Sequence, residues 1–375
     1  MLNSIFKLSR GRYHALNRIE IFSSALLHNY RYLTEKSGLT IFPVLKSNAY
    51  GHGIVNVAKV FDKIKAPFLC VDSIFEAYQL LKTKISTPIL IMGYVHSESL
   101  SGKKLPFSYA VYGYDALDAI NKYQPHAGLH IFVDTGMHRE GVLLKELPKF
   151  VKKCKELHLN IEGLMTHLAM ADKPSSEDTK NQVYNFEKAK KILATENIFP
   201  KWIHMGATSR VLNNNQYPTQ LDNAARTGIA LYGIDPENKN KDLKPAFILL
   251  STIIQIKNIN RGEKVGYDFT YTTKKDMKIA VLPIGYNDGV NRRLSNKGEV
   301  QVHDVFCKIL GRVSMNLSVI DVSKVKNVAI GDEVTIYSNN PSHINSIYNS
   351  ALLCDTIPYE LLVYLHTSTK RVVVK

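Results

Sequence analysis

Phe42-Pro43-Val44-Leu45-Lys46-Ser47-Asn48-Ala49-Tyr50-Gly51-His52-Gly53 ends an apolar run on a lysine and follows it with a turn carrying two glycines. In a parallel α/β barrel, catalytic groups collect at the C-terminal ends of the strands. A strand over residues 40–46 therefore sets the Lys46 amine at a barrel mouth. Partial burial of an amine favours its neutral form, which suits a base or a Schiff-base former. Taken alone, the segment better suits a strand-end lysine that lays its stem over apolar surface and keeps its charge in water.

Outward from Lys46, short apolar runs alternate with helical periodicity up to about residue 235, the pattern of a parallel α/β fold. The runs are residues 40–46, 67–72, 88–92, 109–112, 130–134, 161–167, 202–205 and 228–232. Eight of them predict a closed (β/α)8 barrel of the TIM type rather than an open sheet. Between them, Ser73 with Glu76 three residues later reads as a capping box opening a helix through Leu81. Leu147, Phe150, Val151, Cys154 and Leu157 form one apolar stripe, and Val183, Phe186, Ile192 and Leu193 another. Both stripes read as barrel packing.

After Asp235-Pro236 the texture changes. Residues 237–244 look like a linker. Strand-like runs follow at 248–256, 278–282, 307–309, 318–322 and 333–337, parted by turns such as Arg261-Gly262 and Ile330-Gly331-Asp332, before an apolar helix near residues 348–362. The expected organisation is an α/β barrel domain over 1–236 and a smaller, mainly β domain over 237–375.

A chain of 375 residues fits that division, and 45% hydrophobic with 22% charged residues excludes a disordered or collagen-like chain. Lys and Arg outnumber Asp and Glu 48 to 33, a formal charge of +15, which raises a nucleic-acid reading. From Leu144 to Lys191, however, the lysines alternate with acids such as Glu146, Glu156, Glu162, Asp172, Glu177, Asp178 and Glu187, and no block of like charge forms. The excess reads as a solvated surface, with no nucleic-acid partner. Cys70, Cys154, Cys307 and Cys354 form no C-x-x-C pair, which points to a reducing compartment. Lys7, Arg10 and Arg12 lead into no apolar stretch of signal-peptide length, and no run reaches a membrane span. A soluble cytoplasmic protein is expected.

Two later segments suit a phosphorylated cofactor. His204-Met205-Gly206-Ala207-Thr208-Ser209 leaves the seventh strand, and Arg226-Thr227-Gly228-Ile229 enters the eighth. Barrels commonly bind phosphate at their seventh and eighth loops. No G-x-G-x-x-G follows a strand and no Walker loop is present, which disfavours dinucleotides and nucleoside triphosphates. His52, His126, His130, His138, His167 and His204 are scattered without metal-ligand spacing, so no metal is expected.

In order along nearly the whole chain stand the Lys46 segment, Asp134-Thr135-Gly136-Met137-His138-Arg139, Thr166-His167, Arg226-Thr227-Gly228-Ile229-Ala230-Leu231-Tyr232-Gly233, Gly266-Tyr267, Pro283-Ile284-Gly285-Tyr286 and Gly311-Arg312-Val313-Ser314-Met315. Together they closely resemble the alanine racemases. The resemblance implies a pyridoxal 5′-phosphate enzyme that interconverts L- and D-alanine by a two-base mechanism and supplies D-alanine for peptidoglycan. It also implies a head-to-tail homodimer whose active site is shared between subunits. Lys46 would hold the cofactor covalently and act as one base; Tyr267, from the partner subunit, would be the other. Arg226 would face the pyridine nitrogen, with His167 behind it reaching towards Tyr267. Tyr50, Thr208, Gly228, Ile229 and Tyr359 would contact the phosphate. Arg139 would meet the cofactor's phenolic oxygen and the substrate carboxylate, Met315 would bind that carboxylate through its backbone N–H, and Tyr286 would narrow the approach with Tyr267 and Tyr359.

Three departures from the family pattern stand out. Phe132 occupies the place of a lysine that often becomes carbamylated and braces the arginine, so Arg139 is expected to find a chloride or a nearby carboxylate. Asn316 replaces a usual aspartate, and Ala207 replaces an asparagine before Thr208. Other readings remain: a racemase of serine, lysine or broad specificity, a fold-sharing decarboxylase, or a nucleic-acid-binding protein on an inactive scaffold. The decarboxylases usually place a carboxylate where Arg226 stands.

Overall fold

The computed structural model describes residues 14–218 and 221–375, so Lys7, Arg10 and Arg12 lie outside the described residues. The chain divides into two compact units, Phe22–Ala246 and a second that joins Phe247–Val374 to the stretch ending at Ile21.

In the first unit, parallel strands Leu69–Val71, Ile89–Ile91, Phe107–Val111, Gly128–Asp134, Asn160–Met165 and Trp202–His204 pair in sequence order. Ala224–Thr227 pairs in parallel with Thr40–Pro43. Bridges Gly206↔Ala225 and Val44↔Cys70 join this pair to both ends of the six-stranded run and close an eight-stranded barrel. Seven of the eight expected strands lie where the apolar runs put them. The eighth does not: Gly228–Tyr232 was read as a strand, but the strand is Ala224–Thr227 and Ile229–Tyr232 is a turn of 3-10 helix. The buried Arg226 lies inside that strand, which hides it from an apolar-run criterion.

The packing helices follow their stripes. Leu147–Glu156 buries Leu147, Phe150, Val151 and Cys154, and Glu177–Thr195 buries Phe186 and Leu193. Ser73 caps Ile74–Leu81 by accepting the Glu76 N–H, but the Glu76 carboxylate bonds the N–H groups of Asp72 and Asn48 instead of closing the box on Ser73. All four cysteines are buried free thiols, and no helix among the described residues is long and apolar enough to cross a membrane.

The second unit is a nine-stranded sheet in the order Gln255–Ile259, Met277–Leu282, Ser318–Asp321, Val305–Leu310, Glu299–Val302, Glu333–Tyr337, Phe247–Thr252, Arg18–Phe22 and Lys370–Val374. The run 248–256 is therefore two strands, broken at Ile253 and Ile254. Arg18 pairs with Leu250 and Ile21 with Phe247, so this sheet takes a strand from before the barrel. The single helix expected near 348–362 is two, Ile347–Leu353 and Pro358–Val363, because Asp355 takes a left-handed φ and Pro358 starts the second.

Candidate active site

Beyond the strand Thr40–Pro43 the backbone does something the sequence does not announce. Ser47, Asn48, Ala49 and Tyr50 all have φ between 50° and 55°, a turn of left-handed helix made without glycine. Each such residue costs roughly 1–2 kcal/mol, so the turn needs fixed partners. The Asn48 N–H donates to Glu76 Oε1 (3.2 Å), the Asn48 side-chain oxygen accepts the Ile54 N–H (2.9 Å), and the Gly53 N–H donates to the Asn48 carbonyl (2.9 Å). Lys46 enters this turn half-buried, directly after Leu45, whose N–H is bonded to the Cys70 carbonyl on the neighbouring strand (2.7 Å).

The loop after Gly128–Asp134 carries Arg139. Asp134 Oδ1 accepts the N–H groups of Gly136, Met137 and His138 at 2.9–3.1 Å and so folds the loop back. Burial alone would raise the Asp134 carboxyl; those N–H groups and His138 hold it below the usual carboxylate range. The half-exposed Arg139 donates to both carboxylate oxygens of the adjacent Glu140 through Nε and Nη2, one edge of its guanidinium. Phe132 instead packs with Ala110, Met165 and Tyr112. The carboxylate expected beside Arg139 is thus supplied by its own sequence neighbour. Gln182, on Glu177–Thr195, ties this loop to the next by donating to Thr135 Oγ1 and the His167 carbonyl while accepting the Ala169 N–H.

Arg226 is buried on its strand, and among the described residues its guanidinium meets only neutral acceptors: the His204 carbonyl (2.6 Å), His204 Nδ1 (2.7 Å), the Thr166 carbonyl (2.6 Å) and, more distantly, His167 Nδ1 (3.5 Å). Burial brings the Arg226 pKa down to about 10, which leaves it charged at neutral pH. Enclosure, then the charges of Arg226, Arg139 and Lys46, push the His167 imidazole down to about 3. Arg226 reaches the neutral His167 ring directly, and the charges of Arg139 and Lys46 act on the same ring from the segments that follow two other strands.

The seventh and eighth loops lie together. Thr208 Oγ1 accepts the Ala230 N–H (3.3 Å) and so couples them. A Cβ at Gly228 would fall 2.3 Å from the Tyr50 hydroxyl, so only glycine lets that phenol lie against the backbone before Ile229. No residue at 207 braces this loop as the family asparagine would; the buried pair Arg210–Asp222 (2.8 Å) does, with the guanidinium also stacked on Tyr217. The first unit thus brings together Lys46, Tyr50, Arg139, His167, Thr208, Arg226, Gly228 and Ile229.

In the second unit, Tyr267 is 70% exposed in a short turn after Gly266, held by the Asp268–Arg312 ion pair (2.7 Å). The Tyr286 N–H donates to the Ser314 carbonyl and the Asn287 N–H to the Met315 carbonyl, so the Tyr286 and Met315 loops are tied to each other. Met315 is 56% exposed and Tyr359 half-buried at the start of Pro358–Val363. His130 and His204, which spacing alone leaves as scattered histidines, and Glu162, read from the sequence as one of the acids interleaved with surface lysines, form a line behind Arg226. Their signal was one polar residue on each of three neighbouring apolar strands.

These groups fit pyridoxal 5′-phosphate. A strand-end amine, a donor-only guanidinium for the pyridine nitrogen, and a hydroxyl, a phenol and a glycine at the seventh and eighth loops match its aldehyde, ring and phosphate. No group of three or more His, Cys, Asp or Glu among the described residues could hold a metal ion.

The comparisons agree. The alanine racemase N-terminal domain matches residues 21–236 and the C-terminal domain residues 246–373. The Syntrophobacter fumaroxidans alanine racemase is 33% identical over 354 residues, 92% of this chain and 93% of that protein. The Methanococcus maripaludis alanine racemase is 34% identical, covering 88% and 91%. Among solved structures, alanine racemase from E. faecalis superposes with TM-score 0.86 at 30% identity over 97% and 99% of the two chains. The Bacillus anthracis alanine racemase, solved with bound L-Ala-P, gives 0.87 at 29% over 97% and 96%. The chain belongs to the alanine racemases, a family of amino-acid racemases that depend on pyridoxal 5′-phosphate.

Proposed function

We propose that this chain interconverts L- and D-alanine with two bases, Lys46 and Tyr267, acting on opposite faces of the substrate. The observation that carries the reading is the buried Arg226 guanidinium held against His204 and His167, with the Tyr50 phenol packed on Gly228 and Thr208 bonded to Ala230 on the neighbouring loops, an arrangement suited to a phosphorylated ring. When bound, the cofactor supplies the electron sink that makes the substrate Cα–H acidic. Lys46 Nζ would take or return the proton on one face and the phenol of Tyr267 on the other, so that a proton removed from one side is replaced from the other with no net change.

The exposed phenol of Tyr267 suits delivery to a second copy in a head-to-tail homodimer, where Met315, Tyr286 and Tyr359 would arrive with it. His167, whose Nδ1 faces the Arg226 guanidinium, keeps its proton on Nε2 and would donate it towards that phenol. Arg139, fixed by Glu140, would orient the substrate carboxylate. Tyr50, Thr208, Gly228, Ile229 and Tyr359 would hold the phosphate. Arg226 stays protonated and offers only N–H groups, so a pyridine nitrogen held against it would be left unprotonated, which would limit side reactions such as transamination. D-alanine made in this way would serve cell-wall peptidoglycan.

The test is direct. The purified protein should show a yellow band that borohydride bleaches and that Lys46→Ala lacks. Chiral analysis after incubation with L-alanine should show D-alanine; faster turnover of L-serine or L-lysine would reassign the substrate. A colourless protein that pyridoxal 5′-phosphate cannot turn yellow would overturn the reading.

A further inference from the structure

Arg226 is the least exposed of Lys46, Arg139 and Arg226, and no carboxylate among the described residues bonds to it. Behind it runs a line of buried polar groups. His204 Nδ1 lies 2.7 Å from the guanidinium, His204 Nε2 lies 2.7 Å from His130 Nδ1, and His130 Nε2 faces Glu162 Oε2 at 3.6 Å. Glu162 is partly exposed and accepts the Ser108 hydroxyl (2.9 Å). Both histidines are fully buried. His130 Nε2 makes no hydrogen bond and has only the carboxylate to face.

Proton bookkeeping fixes every ring. A guanidinium has donors and no acceptor, so His204 Nδ1 must be bare and, in a neutral ring, the proton sits on Nε2. That proton can only be given to His130 Nδ1, which must then be bare in turn. The His130 proton sits on Nε2 and points at a carboxylate, whereas the opposite tautomer would set a lone pair against that negative charge. The two ends of the line, read independently, demand the same arrangement. Both rings are held neutral by burial, helped by the Arg226 charge. Gly163 makes the room: a Cβ there would fall 2.1 Å from His130 Nδ1.

We infer that Glu162, His130 and His204 form one positioning line for Arg226, each ring locked as its Nε2–H tautomer and every N–H pointing away from the barrel mouth towards the carboxylate. The line supplies the guanidinium with a polarised neutral acceptor in place of a counter-ion. Arg226 is thereby fixed in place while its charge stays directed at whatever ring binds above it. The benefit for a pyridine nitrogen rests on the racemase reading; the tautomers do not.

The experiment uses the full chain labelled with 15N-histidine, before and after loading with pyridoxal 5′-phosphate, with resonances assigned through His130→Gln and His204→Gln. His130 and His204 should each show a bare Nδ1 and a protonated Nε2 in both states. A proton on Nδ1 of His204, or a doubly protonated ring at neutral pH, would overturn the proposal. Should the histidine variants fail to fold, the partly exposed Glu162 gives a second handle. Glu162→Leu should move the ring nitrogens of both histidines and weaken cofactor affinity about fivefold or more, whereas Glu162→Gln, whose amide oxygen still accepts, should stay within about twofold of the unaltered chain. Unchanged ring nitrogens in Glu162→Leu would remove the carboxylate from the line. Locked tautomers in a chain that never takes up the cofactor would refute the racemase reading alone.

Discussion

Glu140 stands one residue along from the arginine it grips, and that adjacency limits the size of its effect. The pair is partly exposed, where ion pairs contribute about 0–1 kcal/mol. Glu140→Gln should therefore raise KM for alanine by a factor of about 2–5 and leave kcat nearly unchanged, because the brace orients bound substrate without entering the proton transfers. Steady-state kinetics in both directions decides it; an equal fall in kcat would place Glu140 in the chemistry. Tyr267→Ala should abolish solvent-proton exchange mainly from one enantiomer, measured by deuterium incorporation into L- and D-alanine, and equal loss from both would contradict the two-base assignment. Lys46, Arg139 and Arg226 were legible in the sequence because each sits in a motif. His204, His130 and Glu162 were not, since a buried polar line draws one residue from each of three strands and leaves no spacing to read.

Among the elements, the left-handed turn after Lys46 is the most expensive and depends on Asn48. Asparagine tolerates this region better than most residues, and here its side chain also satisfies the Ile54 N–H. Asn48→Ala should destabilise the protein by about 1–2 kcal/mol and slow cofactor capture by Lys46, read by urea unfolding and by the growth of the yellow band. The short helix Thr208–Leu212 is pinned through Arg210 to Asp222 with almost no exposure of either side chain. Asp222→Ala leaves a buried guanidinium without its charged partner and should cost about 3–5 kcal/mol; a midpoint shift near zero would show that its other contacts, the Asn214 side-chain oxygen that accepts from Nη1 and the Tyr217 ring, hold Arg210 unaided. Strand content was readable from apolar runs. The eighth strand, Ala224–Thr227, was misplaced by four residues because its register puts a buried arginine among alanines, and the left-handed turn was invisible because nothing in Ser47-Asn48-Ala49-Tyr50 demands it.

For the whole molecule, three of the enclosed histidines set a pH dependence. His130, His167 and His204 all have folded pKa values pushed below the ordinary 6.5 by burial first, His167 to about 3. Below 6.5 the unfolded chain binds protons that the folded chain refuses, so the stabilising contribution is complete above that value and is lost as pH falls through 6.5 towards the folded values. Each histidine steepens the decline by up to about 1.4 kcal/mol per pH unit. Urea midpoints measured at pH 7.5, 6.0 and 5.0 should fall progressively, and a flat series would mean that the rings charge without penalty. The barrel and the β unit were foreseen as successive pieces. What the sequence concealed is that Arg18–Phe22 belongs to the second sheet, because a strand's neighbours are chosen by pairing and not by position in the chain.

That pairing governs the order in which the protein can be made. Arg18–Ile21 finds its partner only when Phe247–Leu250 has been synthesised, and its other neighbour, Lys370–Val374, is later still. During translation the intervening Phe22–Ala246 unit can fold as it emerges, while the amino-terminal strand waits unpaired for most of the time the ribosome takes to traverse the message. An unpaired strand recruits stray edges. The charged Arg18 and Glu20, alternating with the apolar Ile19 and Ile21, keep the waiting segment hydrated on one face until its true neighbour arrives.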